Sequence, residues 1–402
     1  MQADLGVIPE ESAAYIQRSS LEVQVDPGAL ADATGQNGVS VPGLVAAFRD
    51  EMKAPEHAQF VHWGATSQDI IDTGLMLRMR QLLGLLEQDL HSLLNALSKQ
   101  ASLHTSTPMA ARTWGQHATV TSFGAQVADW GNPLVDLVEE LPTLRDSTLW
   151  VSLSGAAGTS NALGPQAVET RAGLAKGLGL KDPGRSWHAD RGPVLRLAGW
   201  MARLSAALGK FGEDLTLLTQ TGIGEVALGA AGSSSTMPQK QNPVGPAVIV
   251  ALARHVAGLS ATLHGAGQHR QQRDGAAWFT EWLVLPQLCL STASALKHGV
   301  ALAETLAPAP DAMSQALSSE LDLIHAEALS FALAKIMPRP DAQAATKALC
   351  REAVTNGVQL AQLAVRDWPD LNTQDLFDAT AQMGQAPHQA QAFGARVDNL
   401  KN

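Results

Sequence analysis

The chain has 402 residues, more than one compact core accommodates, so two or three domains are expected. Hydrophobic residues make up 45% and aromatics only 4%, a balance that disfavours a sandwich or barrel core and suits close-packed helices rich in Ala and Leu. Lys and Arg number 28 against 38 Asp and Glu, for a net charge of -10, which excludes a global basic field for nucleic acid and leaves any anionic ligand to a local cluster.

In chain order, the opening residues are short segments broken by Gly6, Pro9, Pro27, Gly28, Gly35, Gly38, Pro42 and Gly43. This pattern predicts a small helical domain with turns, placed at residues 1–76. Met1–Gly6 reads as the end of a helix, so a helix upstream of Met1 is expected. Met1–Pro9 lacks the basic-then-apolar pattern of a signal peptide. Ile71, Leu75, Leu82, Leu86, Leu90, Leu93 and Leu97 recur at spacings of three, four and seven, one face of a long helix over Ile70–Leu103. Helical patterns follow over Ala118–Glu140, Pro193–Gln220, Pro243–Gly265 and Glu281–Leu306, and strand alternation is nearly absent. The expected fold is all-α in three helical domains. A central long-helix bundle occupies 77–319, and shorter helices broken by Pro338, Pro340 and Pro369 occupy 320–402. Apolar faces this wide exceed what one bundle covers and predict association through the helices. The apolar run Pro246–Leu263 is interrupted by Arg254 and His255, so no membrane-spanning segment is expected. Cys289 and Cys350 are too few for a disulfide framework, and a cytoplasmic setting is expected.

Chemistry concentrates in Gly232–Asn242, GSSSTMPQKQN. Flexible Gly and Ser, a stiff Met-Pro, the Lys240 cation and the Asn242 amide stand together, with Pro243 and Pro246 where a helix could begin. A helix N-terminus beside a cation suits an anion. The bland alternative is an ordinary Ser-rich loop with a cap. Thr66-x-x-Asp69 is likewise a capping-box pattern ahead of the long helix. His62 could be a satisfied interior histidine, Arg112 a surface ion pair, and Trp278 and Trp282 helix-packing residues. His117, His264 and His269 do not stand at metal-ligand spacing, and no metal is expected.

As an ordered string, SSTMPQKQNP (Ser234–Pro243) resembles the SSxMPxKxNP signature of the fumarase/aspartase superfamily. HWGATSQDIIDT (His62–Thr73) resembles that family's first segment, HxGxTSxDxxDT. TWGQHATVTSFG (Thr113–Gly124) resembles its second, TxxQxAxPxTxG, with Val120 at the usual Pro. The resemblance covers nearly all of the chain. It implies a homotetramer around a helical core, with each active site assembled from three subunits. It implies Ser234 as the catalytic hydroxyl. It also implies substrate contacts from His62, Thr66, Ser67, Thr113, Trp114, Gln116, Ser235, Met237, Lys240, Asn242 and Arg273. A serine is a weak base in water and needs a water-excluding closed loop and nearby cations to act.

Two departures bear on the reaction. Many members carry His where this chain has Trp114, paired with a Glu where it has Ala247. Hydroxide and amine leaving groups need that acid–base pair. A carboxylate has a pKa of about 4 and attacks or leaves already ionised. The resemblance therefore narrows to the superfamily's lactone-forming branch acting on 3-carboxymuconate, a small tricarboxylate, with no cofactor implied. TWxQ, KQNPVGP and RDGAAWFTEWLVLPQL (Arg273–Leu288) look like that branch. Alternatives within the same resemblance are a sulfonated muconate, an adenylosuccinate-lyase-like elimination, and an inactive crystallin-like scaffold.

Overall fold

The structure, a computed structural model, describes residues 1–229, 232–233, 237, 240–318 and 321–400. In chain order the helices are α1 (Glu10–Glu22), α2 (Ala31–Asn37), α3 (Val41–Met52), α4 (Pro55–Ala58), α5 (Ser67–Leu103), α6 (Phe123–Thr148), α7 (Ala167–Leu178), α8 (Gly192–Leu218), α9 (Val244–Ala266), α10 (Gly275–Thr305), α11 (Pro310–Ser318), α12 (Ala326–Leu333), α13 (Arg339–Asn356), α14 (Leu360–Asp367) and α15 (Ala386–Asn399). The all-α expectation holds. The strands among the described residues are two-stranded: a hairpin of β1 (Pro108–Thr113) and β2 (Gln116–Ser122), β3 (Val226–Ala227) with β6 (Ala307–Pro308), and β4 (Gly232–Ser233) with β5 (Gln241–Asn242).

Two compact units emerge. The first comprises Met1–Leu86, Glu140–Ala202 and Ala257–Leu290, and the second Glu87–Glu139, Arg203–Val256 and Ser291–Asn402. Each of the five long helices supplies residues to both.

In the first unit, Met76, Leu83 and Leu86 of α5 are buried, as are Leu141 of α6, Leu197 and Trp200 of α8, and Leu288 of α10. Each full burial of such a side chain contributes about 2 kcal/mol before entropy is charged against it. Trp187 is also buried and donates from Nε1 to the Val151 carbonyl at 2.9 Å, which meets the need of a polar atom in an apolar site. Trp278 and Trp282 lie 4.6 Å apart between ring centroids, in the helix-packing role read from sequence. The α10 start falls six residues ahead of the expected Glu281, at Gly275. Asp274 explains this: its Oδ1 accepts the Ala276 amide at 3.0 Å, an N-cap that sequence periodicity does not reveal.

In the second unit, Leu90, Leu93 and Leu97 of α5 are buried together with Phe123 and Trp130 of α6 and Leu208 and Phe211 of α8. The Trp130 and Phe211 rings meet edge to face at 5.1 Å, and Trp130 Nε1 donates to Asp214 at 2.8 Å. A separate cluster of Leu329, Leu333, Leu349, Leu360 and Leu363 holds the C-terminal helices. The helix expected over Ala118–Glu140 is corrected here. Residues up to Ser122 form β2, and α6 begins at Phe123. Thr119, Val120 and Thr121 are β-branched, and the last two pair across to β1 (Met109 with Thr121, Ala110 with Val120), which outweighs the helical reading of the flanking alanines.

α9 does not overturn the expectation of no membrane-spanning segment, since a core helix can be equally apolar. Despite Arg254 and His255, it is long and apolar enough by length and composition to cross a membrane, with 28% of its most apolar window buried. Ile249, Val256 and Leu263, seven residues apart, form its covered seam.

Candidate active site

The first segment, His62–Thr73, opens with backbone in the left-handed region. His62 has φ 66° and Gly64 φ 75°. A Cβ on Gly64 would stand 2.4 Å from Leu163 Cδ2, so only glycine fits. This turn sets the His62 side chain at the entry to α5. Its Nε2 is buried without a hydrogen-bond partner, and burial holds the imidazole below its ordinary pKa. The satisfied-interior reading of His62 therefore does not describe it.

Asp69 organises the segment from within. Its Oδ2 accepts the Thr66 amide at 3.0 Å and the Gly155 amide at 2.9 Å. Its Oδ1 accepts the Ser154 amide at 2.9 Å, the Ser152 hydroxyl at 2.8 Å and His188 Nε2 at 2.8 Å. Burial raises the Asp69 carboxyl, but the His188 ring and the amides outweigh it and hold the group below the carboxylate range. The capping role is thus real, and it belongs to Asp69. The Thr66 hydroxyl instead stands 3.5 Å from an Arg273 nitrogen.

Arg273 is an unneutralised cation of this region. It donates to Gln68 Oε1 at 2.8 Å and to the Ala156 carbonyl at 3.2 Å, with no carboxylate paired to it among the described residues. The first unit thus gathers Thr66 and Arg273 at hydrogen-bond distance, with Ser67 opening α5 beside them. A guanidinium, a hydroxyl and a helix N-terminus together suit a carboxylate.

In the second unit the second segment forms a hairpin tip. Thr113 pairs with Gln116, and the two turn residues Trp114 and Gly115 have φ 54° and 75°, as a type I′ turn requires. The turn leaves Trp114 99% exposed. Arg112, just behind the tip, makes a two-point pair with Glu225 at 2.7 and 2.9 Å. Its charge is met there, and the pair is half-buried, not the surface one expected.

The signature segment is bracketed by backbone pairing, Gly232 with Asn242 and Ser233 with Gln241. The Lys240 amide donates to the Met237 carbonyl at 3.1 Å, and Lys240 is exposed. α9 starts at Val244, after Pro243, as the prolines indicate. Ser234 and Ser235 lie outside the described residues. The residues therefore fall in three local groups: Thr66, Ser67 and Arg273 with His62 near the α5 start, the Thr113–Gln116 tip, and Met237, Lys240 and Asn242 around the bracketed segment.

Sequence reasoning missed Gln68, Ser152, Ser154 and His188. The spacing of Asp69 and Asp72, three apart on a buried helical face, was the available signal, since acids there need partners. Asp72 finds its partner in Arg191, at 2.8 and 3.0 Å. No three His, Cys, Asp or Glu side chains among the described residues gather as a metal site would require.

The sequence profile of the family described as Lyase matches residues 5–258. The chain is 40% identical over 358 residues to a 3-carboxy-cis,cis-muconate cycloisomerase of Pseudomonas aeruginosa, covering 88% of this chain and 78% of that one. It is 34% identical to a nitrosuccinate lyase of Streptomyces davaonensis, covering 96% and 85%. The crystal structure of the 3-carboxy-cis,cis-muconate lactonizing enzyme from Pseudomonas putida superposes with a TM-score of 0.90 at 33% identity, over 100% of this chain and 92% of that one. With the signature, the two supporting segments and the all-helical fold in place, the chain belongs to the fumarase/aspartase lyase superfamily.

Proposed function

We propose that this protein is a cycloisomerase that lactonises 3-carboxy-cis,cis-muconate, on the protocatechuate branch of aromatic-acid catabolism in the cytoplasm. The observation that carries this reading is Trp114 at the hairpin tip together with Ala247 on α9, where an acid–base pair would otherwise stand. The similarity to muconate cycloisomerases supports it.

In this reading one substrate carboxylate, already ionised, attacks the conjugated double bond and closes a five-membered lactone. The displaced electron pair collects as an aci-carboxylate on a neighbouring carboxyl group. Ser234, as the hydroxyl, delivers a proton to the adjacent carbon and recovers one from solvent, so the ionised substrate takes up one proton as a carboxylate becomes an ester, and the neutral acids are isomers. Lys240, Asn242 and Arg273, with the Thr66 and Ser67 hydroxyls, carry the substrate's negative charge against the unfavourable net charge of the chain. His62, Thr113, Trp114, Gln116, Ser235 and Met237 complete the pocket. No cofactor takes part.

The active unit is a homotetramer whose sites are shared between three subunits. Two features support this: α9 is mostly uncovered within the chain, and Trp114 is fully exposed at a tip shaped to reach a neighbour.

A second reading is favoured by the nitrosuccinate lyase similarity, which spans more of the chain than the first. Nitrite is a weakly basic leaving group and also dispenses with the absent pair. Purified protein treated with chelator decides between them. Loss of the muconate diene absorbance, with one solvent deuteron entering the lactone in heavy water, supports the cycloisomerase. Unchanged absorbance with nitrite released from nitrosuccinate replaces it.

A further inference from the structure

Gln68 is wholly buried and holds two groups at once. Its Oε1 accepts Arg273 Nε at 2.8 Å, and its Nε2 donates to the His188 carbonyl at 2.9 Å. A guanidinium only donates and a carbonyl only accepts, so the neighbours fix the amide's orientation. The other acceptors around Arg273 are the Thr66 hydroxyl and the Ala156 carbonyl. All three are uncharged.

Nearby arginines are treated differently. Arg270 is paired with Asp274, and Arg191 with both Asp72 and Glu281. The anchors behind Gln68 are also firm. His188 is pinned through its ring to Asp69, and Asp69 accepts the Ser154 and Gly155 amides that precede Ala156. The two strongest holds on Arg273 therefore trace back to one buried carboxylate that never touches it.

We propose that Gln68 is a positioning residue that aims the Arg273 guanidinium while leaving its charge for a carboxylate of the ligand, and so selects polycarboxylates. This rests on Arg273 contacting substrate, as proposed above. A carboxylate in place of the amide would reach Arg273 equally well but would consume the charge. An apolar side chain of similar length would leave the charge and lose the aim.

The test uses the full chain and tricarballylate, a saturated tricarboxylate, bound in a calorimeter, alongside KM and kcat on 3-carboxy-cis,cis-muconate. Gln68→Glu and Gln68→Met should each weaken tricarballylate binding by roughly tenfold or more, as loss of a charge-assisted contact does. KM should rise in step while kcat changes little. In an Arg273→Met background neither change should add anything. Thermal midpoints identify any variant that fails to fold, and the two substitutions, one polar and one apolar, guard against losing both. Unchanged affinity in Gln68→Glu, or equal losses with and without Arg273, overturns the inference. Binding that follows Gln68 without muconate turnover sinks the functional reading and keeps this one. Turnover with binding indifferent to Gln68 does the reverse.

Discussion

Arg112 and Glu225 meet through two hydrogen bonds, at 2.7 and 2.9 Å, with the glutamate side chain wholly buried. The pair fastens β1, just behind the Trp114 tip, to the residue that leads into β3. The Glu225 carbonyl also accepts the Ala309 amide at 2.9 Å ahead of α11. Removing Glu225 alone strands a half-buried guanidinium. Glu225→Ala should lower stability by about 3 kcal/mol. Replacing both residues with methionine should recover most of the loss. Thermal midpoints of the single and double variants check this, and a double variant no better than the single rejects it.

Asp69 carries a pH signature. Its folded value lies below the ordinary one, so its contribution is complete above the usual carboxylate range, about pH 4, and fades as pH falls through the lowered value. Asp69→Asn should cost about 3 kcal/mol at neutral pH, since five donors converge on a buried charge. The gap to the parent protein should narrow on acidification below about pH 4. Denaturant titrations across that range give the answer, and a gap that stays constant contradicts the assignment.

Gly64 is fixed by conformation and by space. Its φ of 75° and the Leu163 methyl 2.4 Å from an added Cβ both oppose substitution. Gly64→Ala should destabilise by about 2 kcal/mol and displace His62. Trimming the obstruction with Leu163→Ala should return only part of this, because the backbone penalty remains. Melting curves of the three variants measure the split.

Trp114 should separate folding from activity. Fully exposed in the chain, its loss in Trp114→Ala should leave the thermal midpoint of dilute protein unchanged. Turnover of 3-carboxy-cis,cis-muconate should drop by roughly tenfold or more if the tip lines a pocket as proposed. Full activity in this variant would remove the tip from the site.

The two thiols should differ in reactivity. Burial pushes the Cys289 thiol up to about 12, whereas Cys350 is half-buried and raised by the same cause. A thiol-specific reagent on native protein should label Cys350 first and reach Cys289 only on unfolding. Mass spectrometry of the labelled peptides reads the order directly.

Much of the fold was legible because long amphipathic helices announce themselves. The Leu82–Leu97 spacing, the prolines ahead of α9 and the Pro193 start of α8 all recur in the structure. What escaped were features made by contacts distant in sequence. The β1–β2 hairpin depends on cross-strand pairing and on left-handed φ at Trp114, neither of which has a helical period. The α10 start depends on one side-chain cap. At the site, ordered motifs named the groups proposed to face a ligand, but not what stands behind them. Gln68 and His188 are 120 residues apart, and no local pattern links an amide on one helix to a carbonyl so far along the chain.

The α9 seam has a consequence for handling the protein. A helix whose covered seam runs through Ile249, Val256, Leu263 and Ala266, with 28% of its most apolar window buried, turns its remaining greasy sides outward whenever a chain is alone. Shelf life should then depend on concentration: strong stocks keep, while high dilution invites precipitation before any heating. Storage trials at graded dilutions, scored by light scattering, would register this without any enzymatic assay.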